Sequence, residues 1–157
     1  MFRTKRLALA LVLAAVAMPA VAGSGFEAGQ WRHETNLVSA DVPGVPQPLI
    51  KLFAGRGARV SCSTPAQLET QPETLLTADN GAKCDLRKFS MANGRLVFDT
   101  FCVNKRFPDG LLVSSKGTFT PTSYAIATTS TGTKNGAPVK ILTTGAGKRV
   151  AGSCAKP

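Results

Sequence analysis

The chain has 157 residues, with 19 Lys and Arg against 9 Asp and Glu, one His, one Trp and one Tyr. A formal net charge of +10 raises encounter rates with anionic surfaces. No basic run exceeds two residues, as in Arg87-Lys88, Lys105-Arg106 and Lys148-Arg149, and stacking aromatics are scarce, which argues against a nucleic-acid reader.

The N-terminus reads Met1-Phe2-Arg3-Thr4-Lys5-Arg6, then runs from Leu7 to Ala22 without a charge and closes on Ala20-Val21-Ala22. A basic head, an apolar stretch and small residues where a signal peptidase cuts form a secretory signal. Its 16 apolar-stretch residues are short of the about 20 that span a bilayer. Residues 1–22 are therefore expected to be cleaved, leaving 23–157 as one disulfide-braced β domain, long enough to bury a core. Three of the 19 basic residues leave with the signal and all 9 acids stay, so +10 becomes +7. No Cys precedes Cys62 and no twin-arginine head is present, so the expectation is a periplasmic or secreted protein, neither a lipoprotein nor an integral membrane protein after cleavage.

Gly25 to Val38, with its Gly29-Gln30-Trp31 opening, reads as a first strand; Trp31, the one Trp, is expected to anchor the core. Pro43, Pro46 and Pro48 force an extended loop, since proline cannot donate to a ladder. Leu49 to Phe53 is either a strand or a flap over a barrel mouth, and Arg59 to Cys62 is strand again. Thr64-Pro65-Ala66-Gln67 combines an N-cap, proline at the first helical position and the capping-box Gln, so a short helix starts there and Pro72 ends or kinks it.

From residue 82 the chain becomes a meander. Strands over 82–92 and 95–104 flank Asn93-Gly94, the strongest short signal for a two-residue hairpin. Strands over 111–120 and 123–132 flank Pro121, Asn135-Gly136 turns into 138–144, and 148–154 forms a last strand. Seven or eight such runs make the fold mainly β, an antiparallel meander closing into a small barrel or sandwich with one short helix.

Cys62, Cys84, Cys102 and Cys154 include no Cys-x-x-Cys pair, so zinc is not expected and two disulfides are. The Asn-Gly hairpin sets a register in which Met91 faces Leu96 and Phe89 faces Phe98, placing apolar pairs on one face. In that register Asp85, not Cys84, faces Cys102, so the two Cys point to opposite faces unless a bulge reverses the parity. The preferred pairing is Cys62 with Cys84 and Cys102 with Cys154.

No catalytic set is expected. His33 and Glu34 are neighbours on a strand and point to opposite faces, leaving His33 a structural residue on the face of Trp31. Thr144-Gly145-Ala146-Gly147-Lys148-Arg149 lacks the upstream Gly and the following Ser or Thr of a phosphate loop and reads as a turn with a basic end. No cofactor or metal is implied. The Gly-x-Trp opening resembles that of lipocalin-like barrels, which implies a late Arg, here Arg149, packed over Trp31.

As a set, GQW at 29–31, CSTPAQ at 62–67, the Cys84 to Cys102 hairpin with its central Asn-Gly, KGTFTPTSYAIATT at 116–129 and GKRVAGSC at 147–154 resemble the domain-of-unknown-function 3617 family of bacterial exported proteins. The resemblance implies a short envelope protein and implies no activity. The functional expectation is a non-enzymatic protein that binds a small apolar ligand in a barrel mouth, or an envelope partner such as an anionic component. A ligand site requires a cavity of about 300 Å³ or more. The alternatives are a hydrolase of envelope polymers using Glu27, Glu34 or Asp99, which requires carboxylates converging in a cleft, and an inhibitor-like module with a flat apolar patch. N-terminal mass analysis of protein recovered from the envelope should show Gly23 as the first residue; a mature chain beginning at Met1 would refute the export argument.

Overall fold

Seven antiparallel strands form one sheet in the order β2-β1-β7-β6-β5-β4-β3. They are β1 (Gly29–Asp41), β2 (Gly57–Ser63), β3 (Lys83–Ala92), β4 (Arg95–Asn104), β5 (Phe107–Thr120), β6 (Ser123–Lys134) and β7 (Ala137–Ala151). The computed structural model describes residues 25–46, 48–50, 57–77 and 81–154. The signal expected over 1–22 lies outside the described residues.

Local chemistry accounts for the turns. Asn93 and Asn135 have φ of 51° and 53°, followed by Gly94 and Gly136 at 72° and 76°, so both Asn-Gly pairs make the tight turn that needs two positive φ values. The β4–β5 turn has no such pair. Asn104 Oδ1 accepts from the backbone N–H groups of Arg106 and Phe107 at 2.8 and 2.9 Å, a side-chain turn that lets β5 start at Phe107, four residues before the expected boundary. The segment 144–149 is not a turn. It lies inside β7, which runs unbroken where two strands were expected, because Gly145 and Gly147 hold extended pairing with β6 and β1. Residues 48–50 form a helical turn on the Pro46 carbonyl, so of the two readings of 49–53, strand or flap, its start is not strand; the remainder of that run lies outside the described residues.

Helix α1 (Pro65–Thr70) carries the full capping box: Thr64 accepts from the Gln67 N–H, and the Gln67 side chain accepts from the Thr64 N–H. A 3-10 turn over Pro72–Leu75 follows at once. This α1 and 3-10 segment joins β2 to β3, the two edges of the sheet. Leu75 and Leu76 are buried and share one apolar cluster with Phe26, Trp31, Leu96, Phe98 and Tyr124. In a flat sheet β1 and β4 would stand about 19 Å apart, four strand spacings. That Trp31 of β1 and Leu96 of β4 belong to one core therefore requires the sheet to curl, with the crossover filling its open side.

The disulfides are Cys62–Cys154 and Cys84–Cys102, which corrects the expected pairing. The hairpin register holds from Ala92↔Arg95 to Lys88↔Asp99 and then shifts at a bulge, so that Leu86 faces Thr100 and Cys84 faces Cys102. One extra residue at Arg87 reverses the parity that had put the two Cys on opposite faces. With that bridge set, Cys62 is left to Cys154, and the two lie 5.6 Å apart between Cα atoms. Non-reducing peptide mapping should recover the 62–154 and 84–102 linked peptides and neither alternative set. By loop entropy the bridge closing 92 residues contributes about 4.5 kcal/mol and the one closing 18 about 3 kcal/mol. Paired Cys→Ala exchanges followed by denaturant unfolding measure both, and the 62/154 variant should be the weaker of the two.

Candidate functional site

The inner face of the curled sheet divides into an aromatic floor and a cavity. Phe26 meets Trp31, Phe119 and Tyr124 edge-on, with centroids 5.4, 5.5 and 6.0 Å away. Trp31 is completely buried, and its Nε1 donates to the Glu27 carbonyl at 3.0 Å. Arg149 stands opposite Trp31 in the β1–β7 register. Its Nε donates to the Ala28 carbonyl at 2.7 Å and its Nη1 pairs with Glu27 at 3.2 Å. Arg149 thus ties residues 25–28 across the end of the sheet.

Beside the floor lies a polar cluster. Arg59, His33, Gly147 and Tyr124 share one cross-strand row over β2, β1, β7 and β6. Gly147 has to lack a side chain, since a Cβ there would overlap the Tyr124 ring. Through that gap Tyr124 reaches across β7, and its hydroxyl lies 2.7 Å from His33 Nδ1. On the other side Ser61 Oγ lies 2.7 Å from His33 Nε2. Burial and the nearby Arg59 guanidinium push the imidazole down from 6.5 to about 4, so it is neutral near neutral pH. Burial pushes the Tyr124 phenol up to about 12, against the opposing pull of Arg59. Arg59 itself donates to the Leu75 and Thr77 carbonyls at 3.3 and 3.2 Å, fastening the crossover to β2.

Sequence reasoning placed His33 beside Trp31 but missed Ser61, Tyr124 and Arg59. Strand parity along β2 puts Ser61 and Arg59 on one face with Ser63; only the β1–β2 register, set over the long connection between them, brings that face to His33. The carboxylates considered for hydrolysis do not meet. Glu27 is held by Arg149, Glu34 pairs with Arg32 at 3.4 Å on the outer face of β1, and Asp99 lies on the outer face of β4, four strands away.

Above the floor a cavity of about 280 Å³ opens toward the far end of the sheet. It is walled by Phe98, Leu111, Val113, Ile126 and Leu76, by the hydroxyls of Thr35, Thr77, Thr100, Ser115, Thr128, Ser130 and Thr143, and by the Cys84–Cys102 bridge. Its volume falls just under the roughly 300 Å³ expected of a ligand pocket, so it suits a compact occupant. A larger and more open cleft of about 770 Å³ lies at the floor end, between α1 and the tips of β3 and of the β5–β6 turn. No group of three or more metal-ligating side chains occurs among the described residues.

Fold and site together define a disulfide-braced, curled antiparallel sheet with an aromatic floor and an inner cavity. Residues 26–154 match the family model described as Protein of unknown function (DUF3617), and the chain belongs to that family. No curated protein and no solved structure matches the chain. The two disulfides fit a protein exported from the reducing cytoplasm, and no helix among the described residues is long and apolar enough to cross a membrane.

The His33 shift has a measurable consequence. The folded state holds a pKa of about 4 against 6.5 unfolded. Below pH 6.5 the unfolded chain therefore binds the extra proton, and stability that is complete above pH 6.5 is lost as pH falls toward 4. The loss should be on the order of 3 kcal/mol. Urea unfolding at pH 7.5 and pH 4 measures it, and His33→Gln should flatten the dependence; an equal slope in that variant would assign the effect to other groups.

Proposed function

We propose that this is a non-enzymatic exported protein, working in the periplasm or outside the cell, that binds a small apolar ligand in the cavity on its inner face. The observation that supports the reading is the cavity itself: about 280 Å³, floored by a packed aromatic cluster and walled by strand side chains. A sheet with so small a chain gains stability by filling such a space with side chains, since unfilled core volume is costly. Here the inner positions are instead occupied by short residues, among them Ser115, Thr128, Thr143 and Gly145. The basic surplus gives the protein a means of approach to anionic envelope components without a dedicated site.

A hydrolase is the second reading, and one contact favours it: Ser61 Oγ lies within hydrogen-bond reach of His33 Nε2, as in a nucleophile and base pair. Three features weigh against it. An imidazole with a pKa of about 4 is a weak base at neutral pH, the position of an orienting carboxylate is taken by Tyr124, and neither Ser61 nor His33 lines the cavity.

Native purification from the envelope, organic extraction and mass spectrometry should recover a compact apolar molecule in near-stoichiometric amount. The Val113→Phe variant, which fills the cavity, should lose it while keeping both disulfides. Protein that carries nothing extractable and binds no apolar probe would remove the reading.

A further inference from the structure

Resting on the ligand-binding reading above, we propose that the cavity selects an uncharged molecule with a hydrogen-bonding oxygen at mid-length, an alcohol, ether or ketone, and rejects fatty acids and amines. The chain carries 19 basic and 9 acidic residues, yet none of the described residues lining the cavity is charged. The Arg59 guanidinium, behind the Leu76 and Thr77 wall, donates to the Leu75 and Thr77 carbonyls. A carboxylate or ammonium drawn into this space would lose its hydration without gaining a counter-charge, and an ion so placed is costly.

The polar groups that do line the wall are arranged as a belt. Phe98 faces Ser115, Ser115 faces Thr128 and Thr128 faces Thr143, one cross-strand row over β4, β5, β6 and β7. Ser115 and Thr128 are joined hydroxyl to hydroxyl at 2.8 Å. In such a pair one hydroxyl donates and the other keeps its own proton, so the pair still offers a donor and lone pairs. The next row toward the floor carries Gly117, Ile126 and Gly145; toward the mouth Thr100, Val113 and Ser130 make the belt two rows deep, and the row after them carries the Cys84–Cys102 bridge with Leu111. Apolar surface thus flanks the hydroxyl belt on both sides, which matches a neutral oxygen set within a hydrocarbon frame and not a charged head at one end.

The test is calorimetric titration of the oxidised protein with decan-5-one, decan-5-ol, decanoate and decylammonium at neutral pH, repeated on Val113→Phe and, should that variant not fold, on Ser130→Phe. The ketone or the alcohol should bind at least tenfold more tightly than either ion, and the filled variant should bind neither. The double variant Ser115→Ala with Thr128→Val should weaken the neutral oxygen ligands by roughly five- to tenfold through loss of the belt. An ion that binds within tenfold of the neutral probes, and is lost in the filled variant, would overturn the proposed selectivity while leaving ligand binding intact. Absence of all binding, or binding that survives filling of the cavity, would overturn both.

Discussion

An antiparallel sheet that curls without closing leaves two edge strands whose outer hydrogen-bonding groups have no ladder to join, and such edges fray or pair with other chains. In this protein the edges are β2 and β3, and each carries one half of a disulfide. Cys84 pins β3 to its neighbour β4; Cys62 pins β2 to the segment just after β7, spanning the intervening β1. Covalent attachment fastens each margin to the interior of the sheet and keeps it from fraying. The curl between those margins is what lets Trp31 on one side and Leu96 on the other share a core with Tyr124.

The crossover between the edges completes the enclosure by non-covalent means. A capped helix and a 3-10 turn bring Leu75 and Leu76 onto the inner face, where Arg59 holds the Leu75 and Thr77 carbonyls. The guanidinium is in turn near a neutral histidine that bridges β2 and β6 through Ser61 and Tyr124. A charged imidazole beside Arg59 would repel it and weaken the link between β2 and the crossover, so the low pKa of His33 and the attachment of the crossover are aspects of one arrangement.

Much of the architecture is legible in local chemistry because it is local: two Asn-Gly turns, the Thr64 to Gln67 capping box and the alternation around Phe89 and Phe98 act over a few residues. What escapes sequence reasoning depends on a single inserted residue or on distant partners. The bulge at Arg87 has no composition signal, yet it changes which face Cys84 occupies and with it both disulfides. Gly145 and Gly147 read as turn residues because glycine is common in turns. They are needed within a strand, where Gly147 makes room for the Tyr124 ring and Gly145 faces Ile126. The cluster around His33 joins residues 33, 59, 61 and 124, and no spacing rule links them before the sheet is assembled.

The same glycines bear on why there is a cavity at all. Along β7 the inner positions run Gly147, Gly145, Thr143, small residues on a central strand, and their partners on β6 are Tyr124, Ile126 and Thr128. Near the floor the large ring of Tyr124 fills the space that Gly147 leaves, so the gap becomes packing. One row further the branched Ile126 fills only part of it, and at Thr128 and Thr143 both partners are small and the space stays open. The taper from Tyr to Ile to Thr on β6, set against small residues on β7, therefore converts a packed core into a lined cavity within three rows of the sheet. A side chain larger than Thr at position 143 would extend the core upward instead.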